Sequence, residues 1–353
     1  VSYYRKGLRR MKALVYYGTR DIRLNEIPTP TLRGSDDVCI RVRAAAICGS
    51  DVSGYKGTSK FRVPPLIMGH EFAGEVVALG TEVKQVAVGQ RVAVNPNLNC
   101  GKCRSCLTGK SNLCQSRKIV GTAMRAGKYD GGMAEYVCVP SRAVLPIPDE
   151  VSFDEAALLE PLAVAMHAVK QSEHVKNEVV AVVGVGPIGL LAVQCAKSAG
   201  ARTVVAVDIN EDRLAIARQL RADIAITNTT DYRVAMGNIN EVGTATVIDA
   251  VGTAESLEHS VQMVRDGGDI VVVGLGGRNL SVDTYELVTR EIVIRGSHIY
   301  RNEMEEGLAA IASGAINLHA LITSVWPLEK GPDVFAELAS GQTKDVKVVL
   351  HPA

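Results

Sequence analysis

The sequence has no excess of charge of either sign. Its 353 residues contain 39 lysines and arginines against 38 aspartates and glutamates, which gives a formal net charge of +1. A balanced charge without a long basic run does not favour nucleic acid or an anionic membrane as a partner, because both attract clustered basic residues. The hydrophobic fraction of 47% is typical of a globular chain. A chain of this length favours two domains, each with its own core.

The sequence also lacks an uninterrupted apolar run that predicts a transmembrane helix. Residues 179–196 contain no charged residue and approach the roughly 20 residues that a spanning helix needs. Gly184, Gly186, Pro187 and Gly189 interrupt the middle of this run. A buried strand, a tight turn and a buried helix therefore explain it better than a membrane segment.

The eight cysteines favour metal binding over disulfides. The first ten residues, VSYYRKGLRR, have no apolar segment and do not fit a secretory signal, which favours a reducing cytoplasm. Cys100, Cys103, Cys106 and Cys114 are spaced C-x2-C-x2-C-x7-C. Four thiolates without an open position are typical of a structural zinc site, although an iron–sulfur cluster can use the same ligands. Three other cysteines are expected to be core residues: Cys39, Cys138 and Cys195.

A second set of metal-ligand residues is scattered through the first half of the chain. Cys48, His70, Glu71 and Glu160 supply one sulfur, one imidazole and two carboxylates, the ligand types of a catalytic zinc with an open position. Each residue alone has an ordinary structural explanation, in a core or in the first turn of a helix. A divalent cation would explain why His70 and Glu71 are tolerated in the apolar run IMGHEFAGEV. Asp51 is the candidate partner for the His70 ring nitrogen that faces away from the metal.

The segment from Val179 to Asn210 predicts a dinucleotide-binding strand–helix–strand unit. Gly184, Gly186 and Gly189 form G-x-G-x-x-G between an apolar strand and a helix, whose N-terminus would face the phosphates. Asp208 ends the next strand and can accept hydrogen bonds from the ribose hydroxyls, which favours NAD over NADP. Arg213 could accommodate a 2′-phosphate, and we interpret it as a contact to the adenosine.

Apolar strands and helical patterns alternate after this unit. The strands ATVIDAVG, DIVVVGLGG and EIVIRGSHIY are separated by helical patterns such as EDRLAIARQL and AESLEHSVQMV. This alternation predicts an α/β fold with a doubly wound parallel sheet.

The two metal groups and the glycine motif together resemble the zinc-dependent medium-chain dehydrogenases, and within them the sorbitol (polyol) dehydrogenase branch. The resemblance extends from Met11 to the C-terminus and is carried by CGSDV, GHEFAGEV, the four-cysteine lobe, DGGMAEYVCVP, LLEPLAVAMHA, VGVGPIGLLAVQCAK, REIVIRG and PLEK. It implies that the protein is a homodimer or homotetramer. Within each chain it implies an N-terminal extension (1–10), a GroES-like β-rich catalytic domain (11–155) with a structural zinc lobe (about 96–116), a Rossmann NAD domain (156–295) and a C-terminal part that returns to the catalytic domain (296–353).

The resemblance also implies a mechanism. Cys48, His70 and Glu71 would bind the catalytic zinc, and Glu160 would either bind it or hold the zinc-bound water. Zinc would polarise the hydroxyl of a secondary alcohol or polyol, Ser50 would relay the proton, and NAD would accept the hydride. The implied cofactor-binding residues are Gly184, Gly186, Pro187, Ile188, Gly189, Asp208, Arg213, Val273, Gly274, Leu275, His298 and Ile299, and the candidate substrate residues are Tyr55, Tyr300 and Asn302.

Two departures from the family pattern leave the substrate open. Ser53 stands where many relatives have a histidine that continues the proton relay, so water would carry the proton onward. Ile299 stands where sorbitol dehydrogenases have an arginine for polyol hydroxyls, so a shorter secondary alcohol or a vicinal diol is an alternative. The sequence also leaves open L-threonine, a hexitol phosphate held by a basic cluster (Arg125, Lys128 and Arg301), a zinc-free quinone or enoyl reductase, and a non-enzymatic NAD- or zinc-binding protein.

Overall fold

The structure, a computed structural model, describes residues 10–124, 126–227, 232–237, 241–279 and 281–352. The chain forms two compact units, one with the residues up to Glu160 and from Ile322 onward, and one from Pro161 to Leu321. The chain returns to the first unit after Leu321, whereas the sequence led us to expect this return after residue 295. The described chain starts within a strand at Arg10, so the remainder of the expected extension lies outside the described residues.

Strands predominate in the first unit, whereas strands and helices alternate in the second. The strands are β1 (Arg10–Gly18), β2 (Asp21–Pro28), β3 (Asp37–Ala46), β4 (Leu66–Ile67), β5 (Glu71–Leu79), β6 (Arg91–Val94), β7 (Asn97–Leu98), β8 (Lys118–Ile119), β9 (Thr122–Met124), β10 (Gly127–Tyr129), β11 (Tyr136–Pro140), β12 (Val144–Pro146), β13 (Val179–Val183), β14 (Thr203–Asp208), β15 (Ile224–Thr227), β16 (Thr244–Asp249), β17 (Val264–Val272), β18 (Val293–Gly296), β19 (Ile322–Pro327) and β20 (Lys347–His351). The helices are α1 (Gly49–Tyr55), α2 (Arg104–Leu107), α3 (Phe153–Ala157), α4 (Leu159–Val169), α5 (Pro187–Ser198), α6 (Glu211–Gln219), α7 (Tyr232–Gly237), α8 (Ala254–Met263), α9 (Thr284–Thr289), α10 (Glu303–Ala312) and α11 (Gly331–Ser340). Among these helices, none has both the length and the apolar character that a membrane crossing requires.

A seven-stranded sheet forms the centre of the first unit. Its order is β12-β6-β5-β3-β20-β19, and β11 also pairs with β3. Strand β3 runs antiparallel to β5 and to β20, so that Ala46 lies opposite both Glu71 and Val349. The C-terminal end of β3 therefore meets the N-terminal ends of β5 and β20 at one edge of the sheet, and this edge carries the candidate metal ligands.

Six parallel strands in the order β15-β14-β13-β16-β17-β18 form the sheet of the second unit. Strand β13 is buried at every position, which is typical of a parallel sheet covered by helices on both faces. The order reverses between β13 and β16, and such a switch point is where doubly wound sheets bind nucleotides. The predicted α/β fold with a Rossmann sheet is confirmed.

The segment after β18 packs on the second unit. Glu303 contacts His167 with 2.9 Å between Oε1 and Nδ1, and the side chain of Gln194 forms two hydrogen bonds with the backbone of Asn317. These contacts explain why the chain leaves this unit only after Leu321.

One cysteine prediction needs a correction. Cys39 and Cys138 lie opposite each other on β3 and β11 and form a disulfide. We expected reduced core cysteines, but the antiparallel register brings together two residues that are 99 positions apart. The pairing of β11 with the distant strand β3 is a property of the sheet topology, which the local sequence pattern does not reveal.

Candidate metal centre and dinucleotide site

Cys48, His70 and Glu71 converge at the edge of the seven-stranded sheet. Cys48 follows β3 and is the N-cap of α1, His70 precedes β5, and Glu71 is the first residue of β5. One ligand atom from each residue lies within 4.8 Å of those from the other two. We call these three residues the ligand trio.

The buried polar atoms of the ligand trio fit a divalent cation. Within the described part of the chain, both carboxylate oxygens of Glu71 and the Nδ1 of His70 are buried without a hydrogen-bond partner. Buried polar atoms normally have partners, so these atoms need an explanation. A sulfur, an imidazole and a carboxylate are ligands of catalytic zinc, and a bound cation would satisfy the carboxylate and leave one ring nitrogen to a neighbour.

Asp51 and Arg62 lie on the far side of His70. Asp51 Oδ2 is 3.6 Å from His70 Nδ1, which is longer than a hydrogen bond. Asp51 Oδ1 accepts hydrogen bonds from Arg62 Nη2 at 2.7 Å and from Arg62 Nε at 3.1 Å. Both side chains are buried, and our sequence analysis missed the arginine.

Ser50 is placed beside the sulfur of the ligand trio. Its Oγ donates to Cys48 Sγ at 3.3 Å and accepts a hydrogen bond from Arg62 Nη2 at 3.1 Å. Ser53 Oγ donates to the carbonyl of Gly49 within its own helix, at 3.0 Å. Ser53 is thus held by the backbone, as expected if it is not a station of the proton relay.

Glu160 lies beside the ligand trio but outside it. Glu160 stands in the first turn of α4 and is buried, and burial raises its pKa to about 8. Among the described residues, its carboxylate does not belong to the ligand atoms within 4.8 Å of one another. This geometry favours Glu71 as the direct ligand, with Glu160 as a neighbour. Burial also raises the pKa of the Cys48 thiol, to about 11, and the charge of Glu71 adds to this shift.

A buried lysine, which our sequence analysis also missed, completes this edge of the sheet. Lys347 Nζ lies 2.5 Å from Glu71 Oε2 and donates to the carbonyl of Ile47 at 3.3 Å. Burial lowers the pKa of Lys347, but its acidic neighbours, Glu71 first, together raise it by more, so the net shift is upward. The available signal was a lysine directly before the apolar run Val348–Leu350.

The four cysteines of the predicted zinc lobe also come together. The sulfurs of Cys100, Cys103, Cys106 and Cys114 lie within 4.8 Å of one another. Backbone hydrogen bonds from Lys102 and Cys103 lower the pKa of Cys100 to about 6, whereas burial raises the pKa of Cys106 to about 12. Four converging sulfurs around backbone N–H donors fit a closed thiolate site.

The glycine motif of the second unit has the geometry that a pyrophosphate requires. Gly184 has φ +82°, and Gly186 is the N-cap of α5 with nothing within 4 Å of its missing side chain. A Cβ on Gly189 would collide with the carbonyl oxygen of Gly184. The open space above Gly186 and the helix N-terminus fit a bound phosphate group.

Asp208 stands at the end of β14, beside the glycine motif. Its Oδ2 accepts the N–H of Val185 at 2.8 Å, and its Oδ1 accepts the N–H of Asn210 at 2.9 Å. Arg213 Nη1 lies 3.9 Å from Oδ2. Each carboxylate oxygen keeps a second lone pair, so Asp208 can still accept ribose hydroxyls.

The remaining predicted cofactor and substrate residues differ in their exposure to solvent. Val273, Gly274 and Leu275 follow β17, and Leu275 is 93% exposed. His298 is exposed, and Ile299 has φ +44°, an uncommon backbone conformation for a β-branched residue. The two candidate substrate tyrosines are buried, Tyr55 against the ring of Phe335 and Tyr300 at 2% exposure, and their roles stay predictions together with those of Pro187, Ile188 and Asn302.

The basic residues considered for a phosphate ester stay a prediction. Arg125 lies outside the described residues. The Lys128 ammonium donates to the carbonyl of Pro65. The backbone N–H of Arg301 donates to Glu303, and its side-chain Nε is buried without a hydrogen-bond partner among the described residues.

Comparison with known proteins gives matches over almost all of the chain. Residues 34–149 match an alcohol dehydrogenase GroES-like domain, and residues 187–313 match a zinc-binding dehydrogenase domain. Sorbitol dehydrogenase from Bacillus subtilis strain 168 is 33% identical over 348 residues, which are 97% of each chain. The solved structure of a zinc-binding dehydrogenase from Sinorhizobium meliloti 1021, bound to NADP, is 31% identical in sequence. It superposes with a TM-score of 0.90 and covers 98% of this chain and 100% of that chain. The structure of 2R,3R-butanediol dehydrogenase from Bacillus subtilis is 29% identical with a TM-score of 0.89 over 97% and 100%.

Proposed function

The chain belongs to the zinc-dependent medium-chain dehydrogenases, in their polyol dehydrogenase branch, and we propose that it interconverts a secondary alcohol or polyol and the corresponding ketone with NAD. The observation that carries this proposal is the convergence of Cys48, His70 and Glu71 at one edge of the GroES-like unit. In the forward direction the alcohol loses a hydride to the nicotinamide and a proton to the protein, which yields a ketone and NADH.

Two zinc ions per chain follow from the two ligand groups. Cys48, His70 and Glu71 would hold the catalytic ion with Glu160 beside them, and the four-cysteine lobe would hold the structural ion. A zinc ion with an open position supplies Lewis-acid polarisation of the substrate hydroxyl.

Ser50 is the residue of this chain that takes up the hydroxyl proton. Its oxygen accepts one hydrogen bond from Arg62 and keeps a second lone pair for the substrate hydroxyl. Its own O–H, directed at Cys48 Sγ in the structure, can rotate to pass a proton onward. Because the Ser53 hydroxyl donates its hydrogen bond to the carbonyl of Gly49, water and not Ser53 would accept the proton from Ser50.

The cofactor is NAD in this proposal because of Asp208. A carboxylate at the end of β14 accepts the ribose hydroxyls and repels a 2′-phosphate. One relative is bound to NADP, so the preference of this chain for NAD over NADP has to be measured. Arg213, near Asp208, is the residue that would favour the 2′-phosphate of NADP.

The substrate class is a secondary alcohol with a neighbouring hydroxyl. The relatives are named for sorbitol and for 2R,3R-butanediol, both of which contain vicinal hydroxyls. Ile299 offers no hydrogen bond to a long polyol, so we expect the shorter diols to be preferred within this class.

NAD reduction by the purified, zinc-loaded protein tests the proposal. The panel contains hexitols, tetritols, 2,3-butanediol, simple secondary alcohols, L-threonine and hexitol phosphates, each with NAD and with NADP. We expect turnover of diols or polyols with NAD, a large loss in Ser50→Ala, and little change in the matched control Ser53→Ala. No turnover of any alcohol by protein that carries two zinc ions would contradict the proposal.

We further propose that the protein is a cytoplasmic homodimer or homotetramer. In the described sheet of the second unit, β18 is an edge strand, and Val293 on it is 42% exposed. An open edge strand is suited to pairing with the same strand of a second copy. Five of the six free cysteines belong to the two ligand groups, and thiolate ligands suit a reducing compartment, to which the Cys39–Cys138 disulfide is an exception. Light scattering tests the subunit number, and a monomer would contradict it.

A further inference from the structure

The ammonium of Lys347 is buried among the candidate zinc ligands. Its side chain is 3% exposed, and its Nζ lies 2.5 Å from Glu71 Oε2. A buried ammonium is strongly unfavourable unless it is paired, and Glu71 is the acidic partner of this lysine. The ligand trio therefore has a positive side chain in contact with one of its members.

The sheet fixes the position of this lysine. Lys347 is the first residue of β20, and β3 separates β20 from β5, where Glu71 begins. Its ammonium crosses the end of β3, donates to the carbonyl of Ile47, and meets Glu71 on the other side. The backbones that carry the two charges thus belong to strands of one sheet.

Lys347 differs from the second buried cation of this region. Arg62 pairs with Asp51, which is not a member of the ligand trio. Lys347 pairs with Glu71, which is a member. A zinc ion and Lys347 are consequently two cations directed at one carboxylate, and like charges at such a distance repel each other strongly inside a protein.

We propose that Lys347 is a resident counter-cation of the catalytic metal centre: it holds the Glu71 carboxylate in the zinc-free protein and opposes zinc for it. This inference rests on the proposed function, because it takes the ligand trio as the zinc site. Lys347 then lowers the affinity for the catalytic zinc and keeps the protein folded before zinc arrives. In these terms Lys347 is a positioning residue, since it acts through Glu71.

Zinc affinity is the first readout. Mild dialysis against a chelator gives a one-zinc form, because four thiolates hold zinc more tightly than the mixed ligand trio. Binding of the second zinc is then followed in zinc-buffered solutions for the parent, Lys347→Met and Lys347→Arg. The matched control is Lys12→Met, which removes an exposed lysine that lies 2.5 Å from Glu329 in the same unit.

Lys347→Met should bind the second zinc about tenfold more tightly, because a repelling charge has been removed from a buried site. Lys347→Arg and Lys12→Met should stay close to the parent. An unchanged or weaker affinity in Lys347→Met would overturn the inference and leave the proposed function intact. A parent protein that binds no second zinc would instead overturn the proposed function.

Thermal unfolding of the one-zinc and two-zinc forms is the second readout. Lys347→Met should lower the melting temperature of the one-zinc form more than that of the two-zinc form, because only the former leaves Glu71 unpaired. The double variant Lys347→Met/Glu71→Gln removes the unpaired charge and should recover most of the loss in the one-zinc form. Equal losses in both zinc forms, or no recovery in the double variant, would show that Lys347 only fills space and would overturn the inference.

Discussion

Arg62 Nη2 lies 2.7 Å from Asp51 Oδ1, and this buried ion pair connects the loop before β4 to the helix that presents Ser50 and Cys48. Removing one partner of a buried pair leaves the other charge uncompensated. We predict that Arg62→Met lowers the free energy of unfolding by about 3 kcal/mol. It should also lower kcat, because Ser50 loses the donor that fixes its oxygen.

Denaturant unfolding and steady-state kinetics measure both effects. Arg43→Met is the matched control, because Arg43 pairs with Glu75 at 2.8 Å in the same unit but is more exposed. It should cost at most about 1 kcal/mol. If the two variants were equally stable and equally active, the Arg62–Asp51 pair would have no special role.

The four-cysteine lobe should be structural and not catalytic. Cys103→Ser removes one of four converging sulfurs, so we expect the loss of one zinc per chain and a lower melting temperature. Metal analysis and thermal unfolding measure these changes. Cys195→Ser, which alters a buried cysteine outside both ligand groups, should retain the full zinc content. A Cys103→Ser protein with unchanged zinc content would contradict the assignment.

Asp208 should determine the preference between the two dinucleotides. Asp208→Asn keeps an acceptor for one backbone N–H but removes the negative charge. We expect the ratio of kcat/KM for NAD to that for NADP to fall by about tenfold or more, because charge repulsion of the 2′-phosphate is lost. Glu211→Gln, on the exposed first turn of α6, should leave the ratio unchanged. An unchanged ratio in Asp208→Asn would assign the preference to other residues.

The His167–Glu303 pair predicts part of the acid sensitivity of the second unit. Burial alone would raise the pKa of Glu303, but hydrogen bonds from His167 and from the backbone of Arg301 lower it from 4.5 to about 2. A carboxyl with a depressed folded pKa stabilises the fold above its unfolded pKa, and this contribution is lost as the pH falls from 4.5 towards 2. Glu303→Gln should therefore be less stable than the parent at neutral pH and should lose less stability on acidification.

Urea unfolding across this pH range checks the effect of Glu303. Glu305→Gln, on an exposed position of the same helix, is the control and should follow the parent. Parallel pH profiles for Glu303→Gln and the parent would contradict the prediction.

Most of the fold and of the candidate site was predicted from local sequence patterns. The G-x-G-x-x-G motif and the C-x2-C-x2-C-x7-C spacing are short, so the residues that act together are also close in the chain. The fold class and the family resemblance are confirmed by the sheet order and by the comparisons. Cys48, His70 and Glu71 were grouped by chemistry, and the structure brings them together.

Long-range pairs were not predictable. Lys347 and Glu71 are separated by most of the chain, and only the register of β20 against β3 brings them together. The Cys39–Cys138 disulfide likewise depends on the pairing of β3 with β11. Arg62 sits in a loop without periodicity, and only the burial of Asp51 indicates that a cation must be near. The pairing of distant strands and the course of a loop are tertiary properties, which local sequence patterns do not reveal.

The most direct test of the account is the zinc content and activity of His70→Ala. We predict a folded protein with one zinc per chain, because the four-cysteine lobe is untouched. We also predict a kcat/KM for the best diol or polyol that is lower by about 1,000-fold or more, since the ion that polarises the hydroxyl is lost. Two zinc ions per chain, or activity close to that of the parent, would contradict the assignment of the ligand trio as the catalytic metal centre.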